Sequence, residues 1–422
     1  MPQKNYHPRL IDERVDFFLS TFGAVCIEGP KWCGKTWTGN AHSRSAFMLA
    51  DPAGNFANRE LARLDLAQAL KGDAPHLIDE WQEIPALWDA VRYAVDQETD
   101  AGRFVLTGSS TPQVKGILHS GTGRIARLTM HPMSLYESGD SSGAVSLAEV
   151  CAGKDLPVHA SPPPSLEDLA RLVLRGGWPA SVGKSLRQAI QVPREYVENI
   201  IAIDIHKMDG VDRDQTKLRK CLRSLARNES TTASTAAIRD DIAEMDASAL
   251  SINTVTAYLD AFRRMFLTND IEPFSPFLRS PMRIKQAPKR HFCDPSIAAA
   301  LLGATESMLI HDVRTFGFLF ESLALRDLQI YAEASGARLY HYQDYGGAEI
   351  DAVIQFEDNA WSAFEVKLNP AQADEAADGL KRIAARFQHN PPTALAVVVG
   401  KSGNVFRRPD GVYVLPLTCL RN

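Results

Sequence analysis

The sequence has few of the features that mark secreted, metal-bound or membrane proteins. Its six cysteines are scattered through 422 residues without a CxxC pair. Neither a zinc site nor a disulfide framework is therefore indicated, and a reduced, cytoplasmic setting is expected. No apolar run approaches the roughly 20 residues that span a bilayer, so no membrane partner is expected. Residues Met1 to Phe18 mix Lys4, Arg9, Asp12, Glu13, Arg14 and Asp16 where a signal peptide would carry its apolar core. Positive charge is not in excess. The formal net charge is -5, so a nucleic-acid surface would have to be a local patch. No internal repeat is found. What remains is ordinary: 45% hydrophobic and 23% charged residues describe a folded soluble chain too long for one core, and about two to four domains are expected.

The first motif is Gly29-Pro30-Lys31-Trp32-Cys33-Gly34-Lys35-Thr36, which follows the apolar run Ala24-Val25-Cys26-Ile27. It has the GxxxxGK[ST] spacing of a P-loop, a strand leading into a phosphate-wrapping turn and the start of a helix. Glycines let backbone N–H groups turn toward phosphate oxygens, Lys35 places a charge on the β- and γ-phosphates, and Thr36 offers its hydroxyl to Mg²⁺. ATP and Mg²⁺ are the cofactors this implies. Cys33 reads as a packing residue, as a free cysteine usually is.

Three further stretches suit the same chemistry. His76-Leu77-Ile78-Asp79-Glu80 is a short apolar strand ending in two carboxylates; Asp79 would hold Mg²⁺ and Glu80 would activate the attacking water. Arg103-Phe104-Val105-Leu106 leads to Thr107 and Ser109, small hydroxyls at the carboxyl end of a parallel strand, where ligands bind. After Gly121-Thr122-Gly123, Arg124 is a candidate finger for a nucleotide in the same or a neighbouring subunit.

These residues, with Met133-Ser134-Leu135-Tyr136-Glu137 and Arg175-Gly176-Gly177-Trp178-Pro179, resemble the AAA-type ATPases of a prokaryotic group whose C-terminal region is a domain of unknown function, DUF4143. The resemblance runs through most of the chain. It implies an AAA-like ATP-binding domain, ATP hydrolysis and self-association into a homo-oligomer. Trp32-Cys33 departs from the more usual polar-plus-small pair inside the loop but leaves the phosphate-contacting positions intact.

The breaker-rich stretch 139–165, ending Ser161-Pro162-Pro163-Pro164-Ser165, reads as a surface loop and domain boundary. A helical region follows to about Arg227. Ser234 to Met245 and a helix capped by Ser251 then outline a winged helix-turn-helix, with Val255, Tyr258, Leu259, Phe262 and Phe266 on one buried face. The opposite face is polar: Asn253, Thr256, Asp260, Arg263 and Arg264. Basic residues gather later, at Arg279, Arg283, Lys285, Lys289 and Arg290, where a wing could meet DNA or RNA phosphates.

In the C-terminal part, strands are expected over Arg338–Tyr342 and Ala348–Gln355, joined through Gly346-Gly347, and over Ser362–Leu368 and Ala394–Val399. Glu365 and Lys367, two apart on one strand, share a face, and Asp351 can join them from the paired strand. Glu321 can orient the set from a preceding helix. Two carboxylates and a lysine suit a hard cation that activates water or steadies a phosphate. Asp351 with Glu365-Val366-Lys367 resembles the PD-(D/E)xK nuclease superfamily, which implies a metal-dependent phosphodiesterase core with Asp351 and Glu365 as metal ligands. A strand-borne salt-bridge ladder, or an inactive nuclease fold kept for binding, uses the same residues.

The expected architecture is thus α/β: an AAA-like P-loop ATPase domain over 1–160, a helical linker over 161–227, a winged helix-turn-helix over 228–292 and a PD-(D/E)xK nuclease-like domain over 293–422. Two functions follow. One is an ATP-dependent enzyme acting on nucleic acid with a Mg²⁺-dependent nuclease module. The other is a nucleotide-switched DNA-binding regulator whose C-terminal domain does not cleave. A small-molecule kinase fits poorly, because two further domains follow the P-loop.

Overall fold

The apolar runs around the P-loop become a five-stranded parallel sheet in the computed structural model, which describes residues 6–98, 100–111, 118–156, 158–245, 250–275 and 287–422. The strands are β1 (Ala24–Glu28), β2 (Ser45–Met48), β3 (His76–Asp79), β4 (Phe104–Gly108) and β5 (Ile125–Thr129), in the order β2-β3-β4-β1-β5. Strands β1, β3 and β4 are buried along their whole length, as a parallel sheet covered on both faces requires. Alternation divides β1 between two cores. Ala24 and Cys26 join Ile78, Trp81, Trp88 and Leu106 on one side, while Val25 and Ile27 join Val15, Cys33, Leu77 and Val105 on the other. Register pairs Ile27 with Thr107 and Ile78 with Leu106. The P-loop, Asp79 and Thr107 are thereby set side by side at the carboxyl edge.

The chain divides into two compact units. The first comprises residues 1–132 with 203–212 and 261–267; the second comprises 133–202, 213–260 and 268–422. The second contains a seven-stranded mixed sheet in the order β7-β12-β13-β11-β10-β9-β8. Its members are β7 (His159–Ala160), β8 (Arg338–Gln343), β9 (Glu349–Gln355), β10 (Trp361–Lys367), β11 (Ala394–Val399), β12 (Asn404–Arg407) and β13 (Tyr413–Pro416); β6 (Val145–Ser146) and β14 (Leu420–Arg421) pair separately. Helix Ala373–Ala384 buries Ala377 and Leu380 with Trp361, Val397 and Val414 of this sheet and with Phe274. Strands β8 and β9 form the expected hairpin, with Gly347 at φ 80° in its turn.

The stretch 139–165, expected as a surface loop and domain boundary, contributes two short strands to the second unit. His159 and Ala160 pair with Val405 and Asn404, and Val145–Ser146 pairs with Leu420–Arg421. Its partners lie at the far end of the sequence, so local breaker composition could not reveal them. The Gly176-Gly177-Trp178 motif is a packing node. Gly177 N–H donates to Asp294 at 2.9 Å and Trp178 Nε1 to Ser296 Oγ at 3.0 Å, while buried Arg326 bridges Asp294 and Asp327 at 2.7 Å each. A Cβ on Gly177 would meet the Met133 carbonyl oxygen at 2.1 Å, which explains the second glycine.

Helices Thr235–Met245 and Ile252–Arg264 are present, and Val255, Tyr258, Leu259 and Phe262 are buried as expected. Phe266 lies beyond the helix end at φ 55° and is only half-buried. After them come isolated antiparallel bridges, Thr268 to Phe292 and Ile271 to Lys289. The turn at 246–249 and the basic residues Arg279, Arg283 and Lys285 lie outside the described residues.

Candidate functional site

The P-loop leaves β1 at Gly29, where a Cβ would stand 2.2 Å from the Met130 carbonyl oxygen, so only glycine fits the approach of these two chains. Gly34 takes φ 110° just before helix Lys35–Ala41, and Trp32 is also left-handed at φ 65° with about half its surface exposed at 51%. Pro30 carries the carbonyl that receives Lys35 Nζ at 2.7 Å, so the buried ammonium lies curled inside the loop. Lys31 turns outward to Asp204 at 2.6 Å. Cys33 is buried, with Sγ 3.6 Å from the Met130 carbonyl oxygen, in agreement with a packing role.

Asp79 is the hub. Its Oδ1 accepts from Thr36 Oγ1 at 2.9 Å and from Thr107 Oγ1 at 2.5 Å. Burial pushes its carboxyl above the ordinary value, and the Thr107 and Thr36 hydroxyls only partly offset that. Neighbouring Glu80 sits at φ 57°, its N–H donating to Thr107 Oγ1 at 3.2 Å. Its carboxylate accepts from Ser109 Oγ at 2.9 Å and from Gln82 Nε2. Thus Lys35, Thr36, Asp79, Glu80, Thr107 and Ser109 all converge. A buried carboxylate beside a threonine hydroxyl fits Mg²⁺, which Thr36 and Asp79 would hold.

Arg124 is not among them. It precedes β5, its carbonyl accepts from Ala24 N–H at the start of β1, and its Nε pairs with Asp96 at 2.7 Å. It therefore stands at the amino edge of the sheet, a strand length of about 13 Å from the P-loop edge. That edge is remote from the P-loop of its own chain.

Residues with no recognisable sequence signal complete the first site. Arg9, 8% exposed, donates Nη1 to the Cys33 carbonyl at 2.7 Å and Nη2 to the His131 carbonyl at 2.9 Å, bracing the loop from beneath. Tyr6 OH donates to Asp12 at 2.6 Å and lies 3.0 Å from Thr38 Oγ1 on the P-loop helix. Gln82 is the third such residue.

A second cluster lies in the other unit. Asp351 stands beside the registered pair Ala352–Phe364, which brings it opposite Glu365. Its Oδ2 accepts from Val366 N–H at 2.9 Å and lies 3.8 Å from Lys367 Nζ, which pairs with Glu365 at 2.8 Å. Glu321, on helix Val313–Ala334, completes the expected group. The unexpected member is Lys289. Its Nζ lies 2.5 Å from Glu321, 3.0 Å from Asp351 and 3.2 Å from Glu349. Lys289 is 1% exposed, and Arg290, also buried, pairs with Asp270 at 2.5 Å. Neither can meet a phosphate backbone, which corrects the expectation that both belong to a basic wing; their acidic partners are remote in sequence.

The resident ammonium bears on the metal that the nuclease resemblance implies. Mg²⁺ needs oxygen ligands at about 2.1 Å in octahedral array. Here an ammonium fills the space among three carboxylates, both oxygens of Asp351 are engaged, and Glu365 is paired. Among the described residues no group of three or more His, Cys, Asp or Glu side chains is placed to hold a metal ion. The cluster does not fit a divalent cation. Nor is any described helix long and apolar enough to cross a membrane.

Residues 21–139 match the AAA domain family, 166–308 a domain of unknown function (DUF8612) and 316–420 a domain of unknown function (DUF4143). The chain thus carries a P-loop ATPase domain followed by a DUF4143 region. Uncharacterized proteins of Mycobacterium bovis and Mycobacterium tuberculosis are each 24% identical over 349 residues, covering 81% of this chain and 70% of theirs. Among solved structures, a Walker-type ATPase of Pyrococcus abyssi aligns with TM-score 0.45 and 15% identity over 71% of this chain and 97% of that one. The Thermotoga maritima RuvB Holliday junction branch migration motor aligns at 0.24 and 13% identity over 62% and 88%.

Proposed function

We propose that the protein binds ATP in the Gly29–Thr36 loop and hydrolyses it, and that this turnover serves an action on nucleic acid. The observation that carries the ATPase reading is the Asp79 hub, which joins the P-loop through Thr36 to β4 through Thr107 and sets Glu80 beside the same crevice. Backbone N–H groups of the loop and the Lys35 ammonium bind the β- and γ-phosphates. Thr36 and Asp79 would hold Mg²⁺, whose charge would offset that of the transferring phosphoryl group. Glu80 takes a proton from the attacking water as the bond from the γ-phosphorus to the bridging oxygen breaks, giving ADP and phosphate. Arg124 belongs to this scheme only as a finger offered to a neighbouring subunit of a homo-oligomer.

The nucleic-acid reading is supported by the exposed Asn253, Thr256 and Arg263 on helix Ile252–Arg264 and by the sequence run Arg279, Arg283, Lys285. Of the two forms it can take, a nucleotide-switched binder is favoured over a nuclease by the position of Lys289 among the C-terminal carboxylates. The test has two arms. Lys35→Ala is expected to lose ATP binding and Glu80→Gln to retain ATP without turnover; turnover unchanged in both rejects the site. DNA is then incubated with the wild type, ATP and Mg²⁺ or Mn²⁺. Binding without cleavage is expected, and cleavage abolished by Asp351→Ala and Lys367→Ala would restore the nuclease.

A further inference from the structure

The two sides of the carboxylate cluster are held by different parts of the chain. Glu349 and Asp351 stand two apart on β9 and so share one face, Glu321 comes from helix Val313–Ala334, and Lys289 arrives from a segment pinned to Ile271 by two backbone hydrogen bonds of 2.9 Å each. This backbone pairing fixes the direction of the lysine, so its ammonium does not sample the site by chance. It reaches three carboxylates at ordinary ion-pair distances and is 1% exposed. Lys367 brings a second ammonium to the opposite side, 2.8 Å from Glu365.

We propose that Lys289 is the resident cation of the Glu321–Glu349–Asp351 cluster, occupying the place of a divalent metal and excluding one from this domain. A Mg²⁺ or Mn²⁺ ion entering here would need the same oxygens that the ammonium holds, and would sit within a few ångströms of two positive charges in a buried, weakly screened site. Burial alone would push Lys289 toward neutrality, but Asp351, Glu321 and Glu349 outweigh it and keep the ammonium charged. Burial likewise opposes ionisation of Asp351, yet Lys289 and Lys367 hold its carboxyl down at about 2. Burial and then Asp351 push the Glu321 carboxyl up to about 8. The inference does not depend on whether ATP is hydrolysed.

Mn²⁺ binding to the full chain, followed by electron paramagnetic resonance without nucleotide, tests this. Wild type and Glu349→Gln are expected to bind the same number of ions, because the cluster contributes none. Lys289→Ala is expected to bind one ion more, and Lys289→Ala/Glu349→Gln to lose it. A wild-type ion whose affinity falls tenfold or more in Glu349→Gln overturns the proposal. So does a Lys289→Ala protein with native circular dichroism that binds no more Mn²⁺ than wild type. Should Lys289→Ala fail to fold, the comparison of wild type with Glu349→Gln decides alone, since that variant alters a partly exposed side chain.

Discussion

Thr107 donates its hydroxyl proton to Asp79 at 2.5 Å, tying the carboxyl ends of two adjacent strands together beneath the P-loop. Hydrogen bonds to charged groups contribute about 1.5–3 kcal/mol. Thr107→Val keeps the shape of the side chain and removes this donor. The Asp79 carboxyl, already pushed up by burial, should then rise further. The expected outcome is a Mg²⁺ requirement for ATP turnover shifted to roughly tenfold higher concentration or more, in line with that energy. Mg²⁺ titration of steady-state phosphate release at saturating ATP measures it, and an unchanged half-saturation point would count against Asp79 as the ligand.

Arg9 should control the shape of the loop without touching nucleotide. Its two guanidinium nitrogens hold the Cys33 and His131 carbonyls, both buried, and no lysine can reproduce a two-armed grip of this kind. Arg9→Lys is expected to weaken ATP binding by about tenfold, and Arg9→Ala by more, because the buried carbonyls lose their donors. Calorimetric titration with a non-hydrolysable ATP analogue gives the affinity, and thermal melts separate loop distortion from global unfolding.

The candidate nucleotide site is legible because its spacing is local. A glycine loop must follow directly on its strand, and two carboxylates must end another, so the sequence shows both motifs whole. Four strands of the C-terminal sheet are readable for the same reason, their short apolar runs and the Gly346-Gly347 turn lying within single segments. What sequence hid is what distance creates. Lys289 looked like a solvated wing residue because its partners Glu321, Glu349 and Asp351 are tens of residues away. Arg9 looked like part of a charged amino-terminal stretch for the same reason, since His131 follows it by more than a hundred residues. Arg124 is a different case, because the sequence leaves open whether it serves the same or a neighbouring subunit. A glycine turn before an arginine says nothing about which edge of a sheet it lies on, and that edge was set by the register of β5 against β1.

Glu80 is held ready by two neighbours. Ser109 Oγ donates to its Oε2 at 2.9 Å, Gln82 Nε2 reaches the same oxygen, and the two side chains are themselves 3.3 Å apart. Both hold the Glu80 carboxylate in its orientation. Ser109→Ala and Gln82→Leu should therefore lower kcat for ATP hydrolysis by roughly tenfold each, with KM changed little. Steady-state phosphate release against ATP concentration separates the two constants, and an equal loss in kcat and in apparent affinity would make them structural residues only.

Glu229 supplies a test of stability that is independent of nucleotide. It is 2% exposed, its Oε1 accepts from Ser322 Oγ at 2.6 Å, and the Phe292 N–H lies 3.2 Å from its carboxylate. Burial pushes its carboxyl up to about 8, against the partial relief of those two donors. A carboxyl with a raised folded-state pKa binds its proton more tightly in the folded than in the unfolded chain. Its contribution to stability is therefore fully present below the ordinary value of 4.5 and is lost progressively as pH rises toward about 8. Glu321, raised to about 8 in the same unit, acts in the same direction. Asp351, held down at about 2, acts oppositely, and its contribution disappears only as pH falls below the ordinary carboxylate range. Glu229→Gln keeps an oxygen for Ser322 and for Phe292 N–H but cannot ionise. Its melting temperature should match wild type near pH 5, exceed it at pH 8, and show a shallower decline between them. Thermal melts at half-unit pH steps measure the difference, and parallel curves for the two proteins would place the titration elsewhere.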